Sequence, residues 1–150
     1  MPEKKTVKDA RKAKRAGKSP STQAGSFVHE EIEHIREGKH GARSAKQAIA
    51  IGLAKARRAG VKLPPPPASA SDRTKRSAKS DSARAGKRGR PAASRSRAAK
   101  AKLADEPTVA ASHLALSRHA KQAAKLRTKG ERQASAHKAA KTRARTAKRR

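Results

Sequence analysis

Residues 20–63 read PSTQAGSFVHEEIEHIREGKHGARSAKQAIAIGLAKARRAGVKL. Nine of the chain's sixteen Val, Ile, Leu, Met and Phe residues lie in this stretch: Phe27, Val28, Ile32, Ile35, Ile49, Ile51, Leu53, Val61 and Leu63. Elsewhere bulky apolar side chains are too sparse to build a core. The expected fold class is mainly α with extensive disorder: a small helical hairpin carrying basic Lys/Arg/Ala-rich arms. The expected segments are a basic arm with a short helix (1–19), the hairpin (20–63), a proline-started disordered linker (64–102) and a basic helical tail (103–150).

Local signals place both hairpin helices. Ser19 or Ser21 can cap the first, with Pro20 or Thr22 just inside. Ala24, Val28, Ile32 and Ile35 fall at helical spacing and predict its apolar stripe. Gly38 stops it, because glycine takes the left-handed conformation a helix end needs. Ser44 to Gln47 is a capping-box pattern. Ala45, Ala48, Ile49, Gly52, Leu53 and Ala56 predict a second, narrower stripe whose small residues permit close approach. Gly60 stops that helix, and Val61 can fold back on its last turn in a Schellman cap. A hairpin this short is marginal alone, and no cysteine staples it. It needs Val7 and the first helix, a ligand, or a homodimer through residues 20–63.

The string GKHGARSAKQAIAIGLAKARRAGVKLP resembles the core of a family of small, basic bacterial proteins of unknown function. The resemblance covers about residues 20–66 and rests on KHGARS and KQAIAIGL. It implies a bacterial protein with a Lys/Arg/Ala tail and a loose DNA-binding association. It implies no activity and no catalytic residue.

Charge dominates the rest. The 150 residues hold 41 Lys and Arg against 11 Asp and Glu, a formal charge of +30. Self-repulsion at this density opposes collapse. Residues 1–19 carry +6, residues 20–63 carry +4 and residues 64–150 carry +20. With no Trp, no Tyr and one Phe, a large core is excluded. Zero cysteines exclude thiolate metal sites and fit a reducing cytoplasm. No apolar run of membrane-spanning length occurs, and MPEKKTVKD lacks an apolar signal region, so neither a membrane nor export is expected.

In chain order, Thr6 to Asp9 predicts the start of a short helix that stops at Gly17. Pro64 to Pro67 predicts an extended spacer. Residues 68–102 have almost nothing to bury and are expected to be disordered. Asp105, Glu106 and Pro107 predict a helix start, with Gly130 its stop.

Lys87-Arg88-Gly89-Arg90, followed by Pro91, resembles the core of an AT-hook. Glycine would let the backbone sit on the minor-groove floor while two arginines reach along narrow A·T tracts. The flanking proline and basic pair of that family are absent: Lys87 precedes, and Ala92 and Ala93 follow. Lys46, Lys55, Arg57 and Arg58 on the second hairpin helix form another candidate DNA-contacting set, as in a helix-turn-helix. The six-residue connection and the glutamates of the first helix weigh against that arrangement. The bland alternative is a hairpin with one acidic and one basic exposed face.

No metal or other cofactor is expected. His29 and His34 are five apart, about 140° around a helix, so they do not share a face. A His34–Glu30 pair is the simpler expectation. No constellation for catalysis is visible, and the chain is not expected to be an enzyme. The tail, ending Arg143, Arg145, Lys148, Arg149 and Arg150, resembles linker-histone tails. Such a segment binds phosphates by counterion release with little base readout. The expected function is sequence-tolerant, histone-like DNA binding in a bacterial nucleoid, with some AT preference. The alternatives are an RNA- or ribosome-associated basic protein, or a protein-interaction module with a localising tail.

Overall fold

A computed structural model of the chain describes residues 2–86 and 93–147. The described residues form seven α-helices and one 3₁₀ turn, with no strand among them. They divide into one compact unit of residues 1–115 and a second of residues 116–150. The first unit contains α1 (Lys4–Arg15), α2 (Pro20–Arg36), α3 (Ala45–Arg58), α4 (Asp72–Ala83), α5 (Ala93–Ala104) and the 3₁₀ turn Thr108–Ala111.

The hairpin ends follow local chemistry. Ser19 Oγ caps α2 by accepting from the Thr22 amide at 3.3 Å, and Pro20 takes the first turn. Ser44 Oγ accepts from the Gln47 amide at 3.2 Å and caps α3. The Gln47 side chain reaches back one residue further than a capping box requires, accepting from the Arg43 amide at 3.0 Å. At the far end of α3, Gly60 sits at φ 90°, and the Val61 amide donates to the Ala56 carbonyl at 3.0 Å. With the Gly60 amide on Arg57, this is the expected Schellman closure, and it tucks Val61 into the core.

Two small apolar clusters hold the unit together. The first joins Ala10 of α1, Ala24 and Phe27 of α2, Ala56 of α3 and Val61, with Val7, Leu53 and Leu63 packed on it. Thus the weak hairpin is completed by α1, which docks through Val7 and Ala10. That helix begins at Lys4, before the expected Thr6 start, and Thr6 is buried. The second cluster joins Ile32 and Ile35 of α2, Ala42 of the connection, Ala48 of α3, and Ala110 and Ala111 of the 3₁₀ turn.

The second cluster needs a segment from far along the chain. The amides of Gly41 and Ala42 donate to the carbonyls of Leu103 (2.7 Å) and Pro107 (3.0 Å). Arg36 Nε donates to the Ala111 carbonyl at 3.0 Å. A Cβ on Gly41 would collide with the Glu106 carbonyl, so only glycine lets the two backbones meet there.

The expectation of disorder over 68–102 is not what the structure has: α4 and α5 occupy most of that span. Ser71 Oγ caps α4 through the Thr74 amide, Asp72 sits in its first turn, and Ala78 is buried. An Arg58–Asp81 ion pair (3.4 Å) and a Gly86 amide on the Arg58 carbonyl join α4 to α3. Asp105 to Pro107 does not start a helix; it separates α5 from the 3₁₀ turn, whose geometry is tighter.

The second unit holds most of α6 (His113–Lys125) and α7 (Lys129–Ala147). Gly130 does not end a helix; it lies inside α7. The Thr128 hydroxyl accepts from the Glu131 amide (3.2 Å), and Glu131 Oε2 accepts from the Thr128 amide (2.8 Å). This reciprocal capping box sets the helix start and overrides one glycine's propensity loss.

Gly52 sets how closely α2 and α3 cross. A Cβ there would stand 2.7 Å from Val28 Cα and 3.1 Å from the Phe27 carbonyl oxygen. Gly52→Ala gains up to about 1 kcal/mol of helix propensity but overpacks backbone at about 1–3 kcal/mol. The expected outcome is a net loss of up to about 2 kcal/mol, read as a lowered urea midpoint. An unchanged or raised midpoint would contradict the close crossing.

Candidate functional site

The hairpin interior is charged. Phe27 and Ile35 of α2 are fully buried, and so is Glu31 between them, 1% exposed; Glu30 is 7% exposed. Their helical spacing puts these carboxylates on the face that meets α3. The partner there is Lys55, whose ammonium lies 2.5 Å from Glu31 Oε2 and 3.5 Å from Glu30 Oε1. Neither of those oxygens accepts a hydrogen bond, so the ion pairs alone compensate them. Val28 and Ile32, expected in the core stripe, are only half-buried. The true stripe, Ala24, Phe27, Glu31 and Ile35, is rotated and has a carboxylate in its middle.

Around this pair stands a set of histidines and carboxylates. His40, on the connection, places Nε2 3.3 Å from Glu31 Oε1, and its Nδ1 lies 3.1 Å from the Gly41 carbonyl oxygen. His34 Nε2 lies 3.1 Å from Glu3 Oε1, so Glu3 is its partner where Glu30 was expected. The two imidazoles meet edge to face at 6.4 Å. Glu31, His34 and His40 bring ligand atoms within 4.8 Å of one another. Sequence reading missed His40 entirely. The signal for the other two was present: Glu31 and His34 are three apart on one helix and so share a face.

Burial pushes the Glu30 carboxyl up, but the Thr6 hydroxyl, the Glu3 amide and the Lys55 ammonium outweigh it and hold it below the usual range. The Glu3 amide donates to Glu30 Oε2 at 3.2 Å. Hydrogen bonding to Lys39 likewise holds the Glu37 carboxyl low.

The acidic groups are concentrated. Glu3, Asp9, Glu30, Glu33 and Glu37 all line one open cleft between α1 and α2, with His29, His34, Lys5 and Lys39. These are five of the chain's 11 acidic residues. The expectation of an exposed acidic face therefore holds only in part, because Glu30 and Glu31 point inward.

The expected DNA-contacting residues fall in three groups. Lys55 is half-buried and pairs with the buried carboxylates Glu30 and Glu31. Beside it, Arg57 donates to the Pro64 carbonyl (3.2 Å), and Arg58 bonds Ala54 and pairs with Asp81. Helix α3 is covered by α2, α4 and the 3₁₀ turn, which leaves it poorly placed as a recognition helix. Lys46, Arg143 and Arg145 are exposed. Lys87, Arg88, Gly89 and Arg90 of the AT-hook-like string, and Lys148, Arg149 and Arg150, lie outside the described residues.

Helices α5 and α6 bury no residue, and α7 has its described side chains exposed. On α5, Arg95, Arg97, Lys100 and Lys102 divide between two opposite sides of the helix. On α7, Lys129, Lys138, Lys141 and Arg143 do the same. Among the described residues no helix is long and apolar enough to cross a membrane.

Residues 11–66 match the model of a family described as a family of unknown function (DUF6496), which bears out the resemblance read from KHGARS and KQAIAIGL. The match spans the last five residues of α1, all of α2 and α3, and the first prolines, but not the 103–111 segment that covers the second cluster. No curated protein and no solved structure matches the chain.

Removing Lys55 would leave two buried carboxylates without their ammonium partner. Lys55→Met is expected to cost about 3–5 kcal/mol in denaturant unfolding. Adding Glu31→Gln to that variant should restore part of the loss, because the buried charge goes too. Equal instability of the single and double variants would contradict the pairing.

Glu30 gives a pH signature. Its lowered folded value means the ionised form favours the fold at neutral pH. That contribution fades as pH falls below its ordinary 4.5 through the lowered value. The stability difference between the native chain and Glu30→Gln should therefore shrink on acidification below about pH 4.5. A difference that is constant from pH 7 to 3 would contradict it.

Proposed function

We propose that the protein binds DNA with little sequence preference, as a histone-like, nucleoid-associated protein that neutralises phosphate backbones. The observation that carries this is the presence of cations on opposite sides of helices that bury nothing. Arg95, Arg97, Lys100 and Lys102 on α5 and Lys129, Lys138 and Lys141 on α7 are exposed, and the number of such cations far exceeds what solubility requires. A cationic rod without an apolar stripe suits a polyanion that can approach from either side. Contact through such residues positions a duplex without reading its bases.

The three-helix core takes a different part. Its acidic cleft repels phosphate, so the core stands off the duplex on that side. The string Arg88-Gly89-Arg90 adds a preference for narrow A·T minor grooves. No group for catalysis takes part. RNA shares the phosphate chemistry, but the chain's single aromatic, Phe27, is fully buried and offers no stacking platform for bases.

The test is a salt titration of duplex binding by the full chain, with structured RNA as competitor. With eight to ten phosphates contacted, affinity should fall by about 10³–10⁵ between 50 and 200 mM salt. Changing Arg88 and Arg90 to Ala should remove any A·T preference and leave most of the affinity. A flat salt response, or a marked preference for RNA at equal salt, would overturn the proposal.

A further inference from the structure

We infer that Glu31, His34 and His40 form a binding site for one divalent transition-metal ion, of the zinc class, which clamps the 38–43 connection to α2. The inference is independent of nucleic-acid binding and uses none of the tail.

The chemistry starts at His40. A carbonyl oxygen only accepts, so the 3.1 Å approach of Nδ1 to the Gly41 carbonyl makes Nδ1 the protonated nitrogen. Nε2 is the nitrogen that faces Glu31 Oε1, 3.3 Å away. That nitrogen and the buried carboxylate are close enough to share one metal cation in place of a proton. Backbone anchoring of one ring nitrogen is also how metal-binding histidines are held in the correct tautomer.

The distances fit. Tetrahedral zinc with ligands at about 2.0–2.2 Å has ligand-to-ligand edges of about 3.3–3.6 Å. The His40–Glu31 edge is already 3.3 Å, and all three ligand atoms lie within 4.8 Å of one another. An imidazole rotation at His34 covers the remainder. Lys55 occupies Glu31 Oε2, which leaves Oε1 as the single ligating oxygen. Glu3 Oε1 is 3.1 Å from His34 Nε2 but outside the set of three mutually close ligand atoms, so the fourth position falls to water.

The local charge favours a cation. Glu30 and Glu31 share the one Lys55 ammonium and Glu3 stands beside His34, so the cluster keeps an excess of negative charge inside a chain of net +30. The consequence is structural. The clamped connection is the one whose Gly41 and Ala42 amides hold the 103–107 backbone, so the ion would stiffen that contact as well.

The test uses the full chain freed of metal, titrated with Zn²⁺ by calorimetry and with Co²⁺ by visible absorption. The expected result is one ion per chain, with the intense visible bands of low-coordinate Co²⁺. Loss of an outer-shell partner costs about 10–100-fold in metal affinity, and loss of a ligand should cost no less. His40→Gln and His34→Gln should therefore each weaken binding at least tenfold, while His29→Gln and His113→Gln leave it unchanged. Far-UV helicity is recorded for every variant, so a His34→Gln chain that keeps its helices decides the matter should His40→Gln unfold. Absence of a stoichiometric site in the native chain would overturn the inference. So would unchanged affinity in a folded His34 or His40 variant, or an equal loss in His29→Gln.

Discussion

One lysine inside the hairpin sets the terms for the rest of the molecule. Glu30 and Glu31 are adjacent on α2, and both turn toward α3, where bulky apolar groups would ordinarily lie. Taking two carboxylates out of water costs several kcal/mol each unless they are compensated. Lys55 supplies that compensation from the facing helix, and Gly52 and Ala56 beside it are small enough to let the backbones close around it. A pair of this kind adds little net stability over a hydrophobic equivalent, but it permits only one register of α2 against α3. The few aliphatic groups available could not enforce a register by packing alone.

That arrangement separates two kinds of charge. Charge fixed by pairing lies inside the hairpin, Lys55 with Glu30 and Glu31, and at its surface, Arg58 with Asp81 and Arg36 with Glu33 and the Ala111 carbonyl. Outward charge on α5 and α7 is held by no packing. The fold stays small because only its acidic minority is needed to neutralise cations within it. On the proposed reading, the remaining positive charge is there for a polyanion, which would cancel the self-repulsion opposing those helices.

Much of this was legible in the sequence, and what was not has identifiable causes. Ser19, Pro20, Gly38, Ser44, Gly60 and Val61 act through their nearest neighbours, so the ends of α2 and α3 and the Schellman cap could be read directly. Glu30 and Glu31 could not be placed inside by hydropathy, since their burial depends on one lysine more than 20 residues away. The docking of Ala110 and Ala111 escaped for the same reason: two alanines carry no signal until Gly41 and Ala42 present open amides. Glycine at position 130 suggested a stop, whereas the Thr128–Glu131 box outweighed it. His40 was invisible because its partners lie on a helix that ends before it.

The division between inward and outward lysines can be measured in one experiment: acetylation of the native full chain, with and without duplex DNA at low salt, read lysine by lysine by mass spectrometry. The account predicts that Lys55 reacts slowly in both cases, while Lys100, Lys102, Lys138 and Lys141 react quickly alone and are protected by DNA. Fast reaction of Lys55 in the free protein, or tail lysines whose reactivity DNA leaves unchanged, would contradict it.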